Sequence, residues 1–176
     1  MKGKSDIANF ALRAFLGKVG HRYDELRGLE PFKPTKRQWS EVLAFFDGAC
    51  CFCGVVLVGA NTARDHLVPL NKKSLGLHAW GNIVPSCLEC NKQKHFGHWE
   101  EFLAAHGADE ATGSRIKRIR AFQEKYRYEP DLRLQAIADN LYEDVGTVAM
   151  TLVELRFKQA ETALATMLSG AKVGGT

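Results

Sequence analysis

The chain has 176 residues, 45% apolar and 25% charged, with 24 Lys and Arg against 20 Asp and Glu for a formal net charge of +4. That length buries a core without cross-links, and the composition excludes collagen-like, disordered and disulfide-scaffold classes. The apolar stretches fall short of the roughly twenty residues of a membrane span, and Asn9 and Arg13 interrupt the N-terminal one, so neither a span nor a signal peptide is expected and the chain reads as cytoplasmic.

Ser5 can cap a first helix carrying Ile7, Phe10, Ala11, Ala14 and Phe15 at helical spacing, with Gly17 as its stop. An irregular basic stretch holding Pro31 and Pro34 follows. Thr35 to Gln38 form a capping box, and the helix they open presents Trp39, Val42, Leu43 and Phe46 before Gly48. Val55 to Val58 and Asp65 to Leu70 are short β-branched runs between turn signals, which predicts a hairpin. A loop with Lys72, Lys73, Gly76 and Gly81 leads to Asn82-Ile83-Val84-Pro85. A helix is expected from Cys87 to about Phe96, and another through Trp99, Phe102 and Leu103 to Gly107.

The C-terminal third predicts three helices, Arg115 to Tyr126, Leu132 to about Leu141, and about Val145 to Leu168. Residues 1–34 then form an N-terminal helical extension, 35–107 a core, and 108–176 a C-terminal helical region. In the last helix Met150, Val153, Phe157, Ala160, Leu164 and Met167 alternate three and four apart, the seam spacing of a coiled coil. Such a seam packs on the protein's own helices or joins a homodimer.

Four of the five cysteines fall into two Cys-x-x-Cys pairs, Cys50/Cys53 and Cys87/Cys90. Two such pairs make a closed tetrahedral thiolate set of the kind that holds structural Zn²⁺, whereas a redox dithiol needs only one pair. Cys51 is left to packing. The segment between the pairs is longer than in a plain zinc ribbon, so something else is built inside it.

That insert contains Asp65-His66-Leu67-Val68-Pro69-Leu70, and it runs on through Gly81-Asn82-Ile83-Val84-Pro85-Ser86 into Cys87-Leu88-Glu89-Cys90-Asn91-Lys92-Gln93-Lys94. The pattern over about residues 48 to 98 resembles the HNH nucleases with a ββα-metal core. An α+β fold is implied, a ββα-metal core with structural zinc, flanked by N- and C-terminal α-helices. Independently of the family, phosphodiester hydrolysis needs a base near neutrality, for which an imidazole such as His66 is suited, and a divalent cation on hard oxygen ligands.

By the resemblance, Asp65 and Asn91 hold Mg²⁺ or Mn²⁺, and Asn82 pins the loop that orients His66. His95 stands where the family usually has glycine. Four residues beyond Asn91 on a predicted helix, it is either a third ligand, extending tolerance to Ni²⁺ or Co²⁺, or a surface or phosphate-contacting residue. Neighbours on a strand face opposite ways, so Asp65 and His66 share a site only if the strand bends or Asp65 reaches around. His21, His78, His98 and His106 carry no assigned role.

Lys72, Lys73, Lys92 and Lys94 flank the site and are expected to contact DNA phosphates. Arg115 and Arg118, on a basic helix, either do the same or form a solvated face. The expected function is metal-dependent hydrolysis of DNA leaving 5′-phosphate and 3′-hydroxyl ends, with the end chemistry implied by the resemblance. A zinc-knuckle module that binds nucleic acid without cleaving it is the alternative.

Overall fold

A computed structural model of the chain describes residues 4–107, 109–129 and 132–170. Helix α1 spans Lys4–Leu26 and runs through Gly17 rather than stopping there. Its buried positions are Ala8, Leu12, Leu16, Gly20 and Asp24, four apart, while Phe10, expected on the inner face, is exposed. Gly20 survives inside the helix because α1 lies directly on another backbone. A Cβ there would fall 2.4 Å from the His78 carbonyl oxygen.

At the buried end of α1, the Asp24 carboxylate accepts the Phe32 N–H at 2.9 Å and the Trp80 N–H at 3.1 Å and pairs with Arg27. Burial raises the pKa of this carboxyl, against the opposing pull of those donors and of Arg27. Three segments meet on one side chain: the end of α1, the strand-free linker and the loop before Asn82.

Helix α2, Lys36–Phe45, begins with the expected capping box: Gln38 N–H donates to Thr35 Oγ1, and Gln38 Oε1 accepts the Thr35 N–H. Strand β1, Ala63–His66, pairs antiparallel with β2, Ile83–Ser86, placing Asp65 opposite Val84 and His66 opposite Ile83. The expected hairpin partner, 55–58, instead lies on the surface with Val55, Val56 and Val58 exposed, and contributes only a single bridge from Val56 to Ala49. The sheet's second strand comes from the far side of the loop because Ile83 to Ser86 is buried throughout, whereas 55–58 turns only Leu57 toward the core.

Helix α3, Leu88–Lys94, starts at Cys87 and stops before His95; α4 spans Trp99–Ala105. Helix α5, Glu110–Lys125, begins five residues earlier than expected because Asp109 caps it, its carboxylate accepting the Thr112 N–H at 2.6 Å. After a 3₁₀ turn at Leu132–Leu134, the two expected C-terminal helices form one continuous α6, Gln135–Gly170. Its first half packs on α1. From Thr151 to Leu164 every side chain is exposed, Val153, Phe157 and Leu164 among them, so the seam does not pack on the protein's own helices there. The side chain of Met167 lies outside the described set.

Two clusters of apolar side chains result. One joins the cysteine region, the sheet, α2, α4 and α5 through Phe46, Leu67, Ile83, Val84, Trp99, Ile119 and Phe122. The other joins Leu12 and Leu16 of α1 to Val68, Leu75, Leu77 and Ala79 of the loop and to Tyr128 and Ala138. No helix among the described residues is long and apolar enough to cross a membrane.

Candidate active site

The Sγ atoms of Cys50, Cys53, Cys87 and Cys90 all lie within 4.8 Å of one another, with Cys53 and Cys87 3.8 Å apart. A tetrahedral Zn²⁺ with bonds of about 2.3 Å separates its thiolates by about 3.8 Å, so the set fits that ion closely. Backbone geometry delivers it: Cys50 N–H donates to the Val55 carbonyl and Gly54 N–H to the Cys50 carbonyl, curling the first knuckle, while Cys87 caps α3 and Sγ accepts the Cys90 N–H. Cys51 is buried and donates its backbone N–H to Pro85, and burial raises its thiol pKa far above the ordinary value, consistent with packing.

A second constellation opens on a cavity of about 330 Å³ lined by Arg13, Arg64, Asp65, His66, Asn91, Lys94 and His95, with Pro69, Leu70 and Phe96 as its apolar wall. Asp65 and His66 are strand neighbours yet both reach it. The Asp65 side chain turns back so that Oδ1 accepts the His66 N–H at 2.8 Å, which brings the carboxylate round to the cavity. Asp65 Oδ2 is buried and accepts no well-formed hydrogen bond, although the Lys94 ammonium stands 3.2 Å away. A buried carboxylate oxygen without a hydrogen bond, in a cavity that Asn91 and His95 also line, has donor chemistry that fits a hard divalent cation. Lys94 competes for the same oxygen, so the remaining donors must supply part of the affinity.

Burial raises the Asp65 pKa, with Lys94 and the His66 N–H pulling the other way. Burial also lowers that of His66 to about 3, helped by His78, Lys94 and Arg13. Burial therefore favours the neutral form of the imidazole.

His95 is not on α3. It follows the last helical residue with φ 48°, a left-handed backbone that turns the chain, and its ring packs edge-on to Phe96. It reaches the same cavity as Asn91 by this turn rather than by helical spacing. Asn82 does not face the cavity. Fully buried behind it, Oδ1 accepts the Val68 N–H at 2.8 Å and Nδ2 donates to the Val68 and Leu77 carbonyls at 3.0 and 2.7 Å, clamping both ends of the loop.

Lys94 requires a correction: expected to contact DNA, its side chain is 1% exposed and its ammonium donates to the His66 and Gly97 carbonyls while pairing with Asp65. It is a structural cation under the site. Lys72 stacks over Tyr142 and pairs with Asp139 and Glu143 of α6. Arg115 and Arg118 line a different cleft, beside Cys50 and Cys51, where Arg118 donates to the Phe45 carbonyl and pairs with Asp47. Lys73 lines a cleft sharing Phe96 with the main cavity, and Lys92 is exposed on α3.

Three site residues were not singled out from sequence. Arg64 had a signal, a basic residue immediately before Asp65-His66. Arg13 and His78 had none, because Arg13 arrives from α1 and His78 from the loop. The HNH endonuclease family model matches residues 50–97, which contain both thiolate pairs, β1, the loop, β2 and α3. No curated protein matches the chain.

Proposed function

We propose that the HNH segment at residues 50–97 makes this protein a metal-dependent endonuclease that hydrolyses DNA phosphodiester bonds. The observation that carries the reading is the convergence of Asp65, His66 and Asn91 on one cavity with Arg13 and Arg64, beside a separate thiolate set. A zinc knuckle that only binds nucleic acid has no need of that convergence.

Arg13 and Arg64 hold the nonbridging phosphate oxygens, for which the guanidinium fork is matched. His66 takes the proton of the attacking water as its oxygen bonds phosphorus in line and the bond to the 3′ oxygen breaks; the departing 3′ oxygen takes a proton from solvent, and His66 returns its own to solvent, leaving 5′-phosphate and 3′-hydroxyl ends. The anionic phosphodiester, seated beside the ring, raises the proton affinity that burial has depressed. Mg²⁺ or Mn²⁺ held by Asp65, Asn91 and His95 would supply charge stabilisation at the phosphate and the leaving oxygen. Zn²⁺ on the four cysteines is structural. Supercoiled plasmid incubated with Mg²⁺, Mn²⁺ or EDTA, followed by sequencing of the ends, tests the reading. Divalent-dependent relaxation or linearisation supports it; DNA binding without cleavage in any divalent ion leaves the binding-module alternative in its place.

Arg13, Arg64, Lys73 and Lys92 make about four phosphate contacts, so log K for duplex DNA is expected to fall with log salt at a slope of about −4. Fluorescence anisotropy of His66→Ala with Ca²⁺ measures it without cleavage, and a slope near zero removes DNA as the substrate.

The exposed seam of α6 is proposed to join two copies in parallel. With Met150, Phe157 and Leu164 at the a positions, Arg156 falls at g and Glu161 at the following e, the pair that meets across a parallel two-stranded coil, whereas an antiparallel one sets Glu154 and Glu161 together. Phe157→Glu is expected to convert a dimer to a folded monomer in sedimentation. A wild-type protein monomeric at tens of micromolar ends the idea.

A further inference from the structure

We infer that His78 is a positioning residue for His66: its Nδ1 accepts the His66 Nε2–H, which leaves the His66 Nδ1 lone pair free to act. The two nitrogens stand 3.1 Å apart, with ring centroids 5.3 Å apart and planes at 52°. This rests on the reading of His66 as the base.

Only one of the two neutral rings can donate across that contact. If His78 donated, His66 would carry its own proton on Nδ1 and would have no lone pair left for water. If His66 donates, its second nitrogen is available, and the bond becomes stronger when the ring takes up a proton, because a cationic donor then faces a neutral acceptor. His78 must be neutral to accept. Burial, His21 and Arg64 all lower its pKa, in that order.

The backbone around His78 is built to hold that ring. Leu77 N–H donates to the Tyr128 hydroxyl at 3.1 Å and the Leu77 carbonyl accepts from Asn82. Trp80 N–H donates to Asp24. Gly20 of α1 lets the helix rest on the His78 peptide itself, and Phe32 packs edge-on to the imidazole at 5.8 Å. His66 is held by its backbone too, through Asp65 and Lys94, so side-chain rotation is the freedom left for His78 to remove. Helix α1, outside the residues the family model matches, thereby takes part in orienting the base.

The experiment compares His78→Asn, whose carboxamide oxygen replaces the Nδ1 acceptor, with His78→Phe, which keeps a ring and removes the acceptor. Both are full-length, zinc-loaded proteins checked for equal melting behaviour. His78→Phe is expected to lose about tenfold to a hundredfold in kcat at little change in KM, as outer partners of working imidazoles do, with His78→Asn recovering most of it. Long-range proton–nitrogen spectra of the metal-free catalytic site should show His66 protonated on Nε2 in the wild type and a mixed tautomer in His78→Phe. Wild-type His66 protonated on Nδ1, or a His78→Phe variant that cleaves normally, overturns the inference. The nitrogen shifts judge the contact whether or not His66 is the base; a His66→Ala variant with full activity overturns that reading instead.

Discussion

His66→Ala is expected to retain one zinc per chain, to melt within a few degrees of the wild type and to bind DNA with unchanged affinity, while cleavage falls by about a hundredfold or more. The loss is large because the variant removes the group proposed to take the water's proton, and the one other imidazole that lines the cavity among the described residues, that of His95, faces it from the turn after α3. Structural damage is small because the backbone bonds of residue 66 survive: its N–H still meets Asp65 and its carbonyl still meets Lys94. Cleavage by His66→Ala at the wild-type rate would sink the assignment. Asp65→Ala is not an equivalent probe. It leaves the Lys94 ammonium buried without its counter-charge, a loss of about 3 to 5 kcal/mol for a broken buried pair, so reduced activity there mixes chemistry with unfolding. Asp65→Asn, assayed across catalytic metal concentrations, separates the two.

Cys87→Ala should instead lose zinc and fail to fold. Zinc binding to small thiolate sites is worth about 10 to 16 kcal/mol of apparent free energy, as much as or more than the roughly 5 to 15 kcal/mol that stabilises a typical domain. Cys87 also caps α3 with its sulfur, and Cys50, Cys87 and Cys90 belong to the larger apolar cluster, so removing one thiolate loosens α3 and the sheet together. Atomic absorption and circular dichroism check the outcome. Zinc lost equally from His66→Ala and Cys87→Ala would mean that the two constellations are one site.

The thiolate pairs and Asp65-His66 were legible because their chemistry is carried by residue type at short spacing, which survives any error in the surrounding elements. The sheet was not. A four-residue apolar run such as Val55 to Val58 satisfies a strand pattern whether or not a core lies beneath it, whereas the true partner, Ile83 to Ser86, contains Pro85, a residue that argues against a strand. Gly17 read as a stop because local propensity disfavours glycine in a helix, but packing along Leu12, Leu16 and Gly20 outweighs a cost of about 1 kcal/mol. Lys94 read as a surface cation since lysine seldom buries, and its partner Asp65 is 29 residues away in sequence. The pairing of His66 with His78 is tertiary in the same sense: nothing in either residue's neighbourhood along the chain announces it.

The smaller apolar cluster draws on Leu12 and Leu16, which precede the loop carrying His78, and on Tyr128 and Ala138, which follow it, with the loop enclosed between them. On a ribosome these partners emerge in order. The thiolates, β1, β2 and α3 are all synthesised before Tyr128 and Ala138, which close over the loop. A nascent chain can thus gather its four thiolates before its loop is seated, and His78 settles against His66 only after the helices beyond the matched segment have been made, a delay written into the order of the residues themselves.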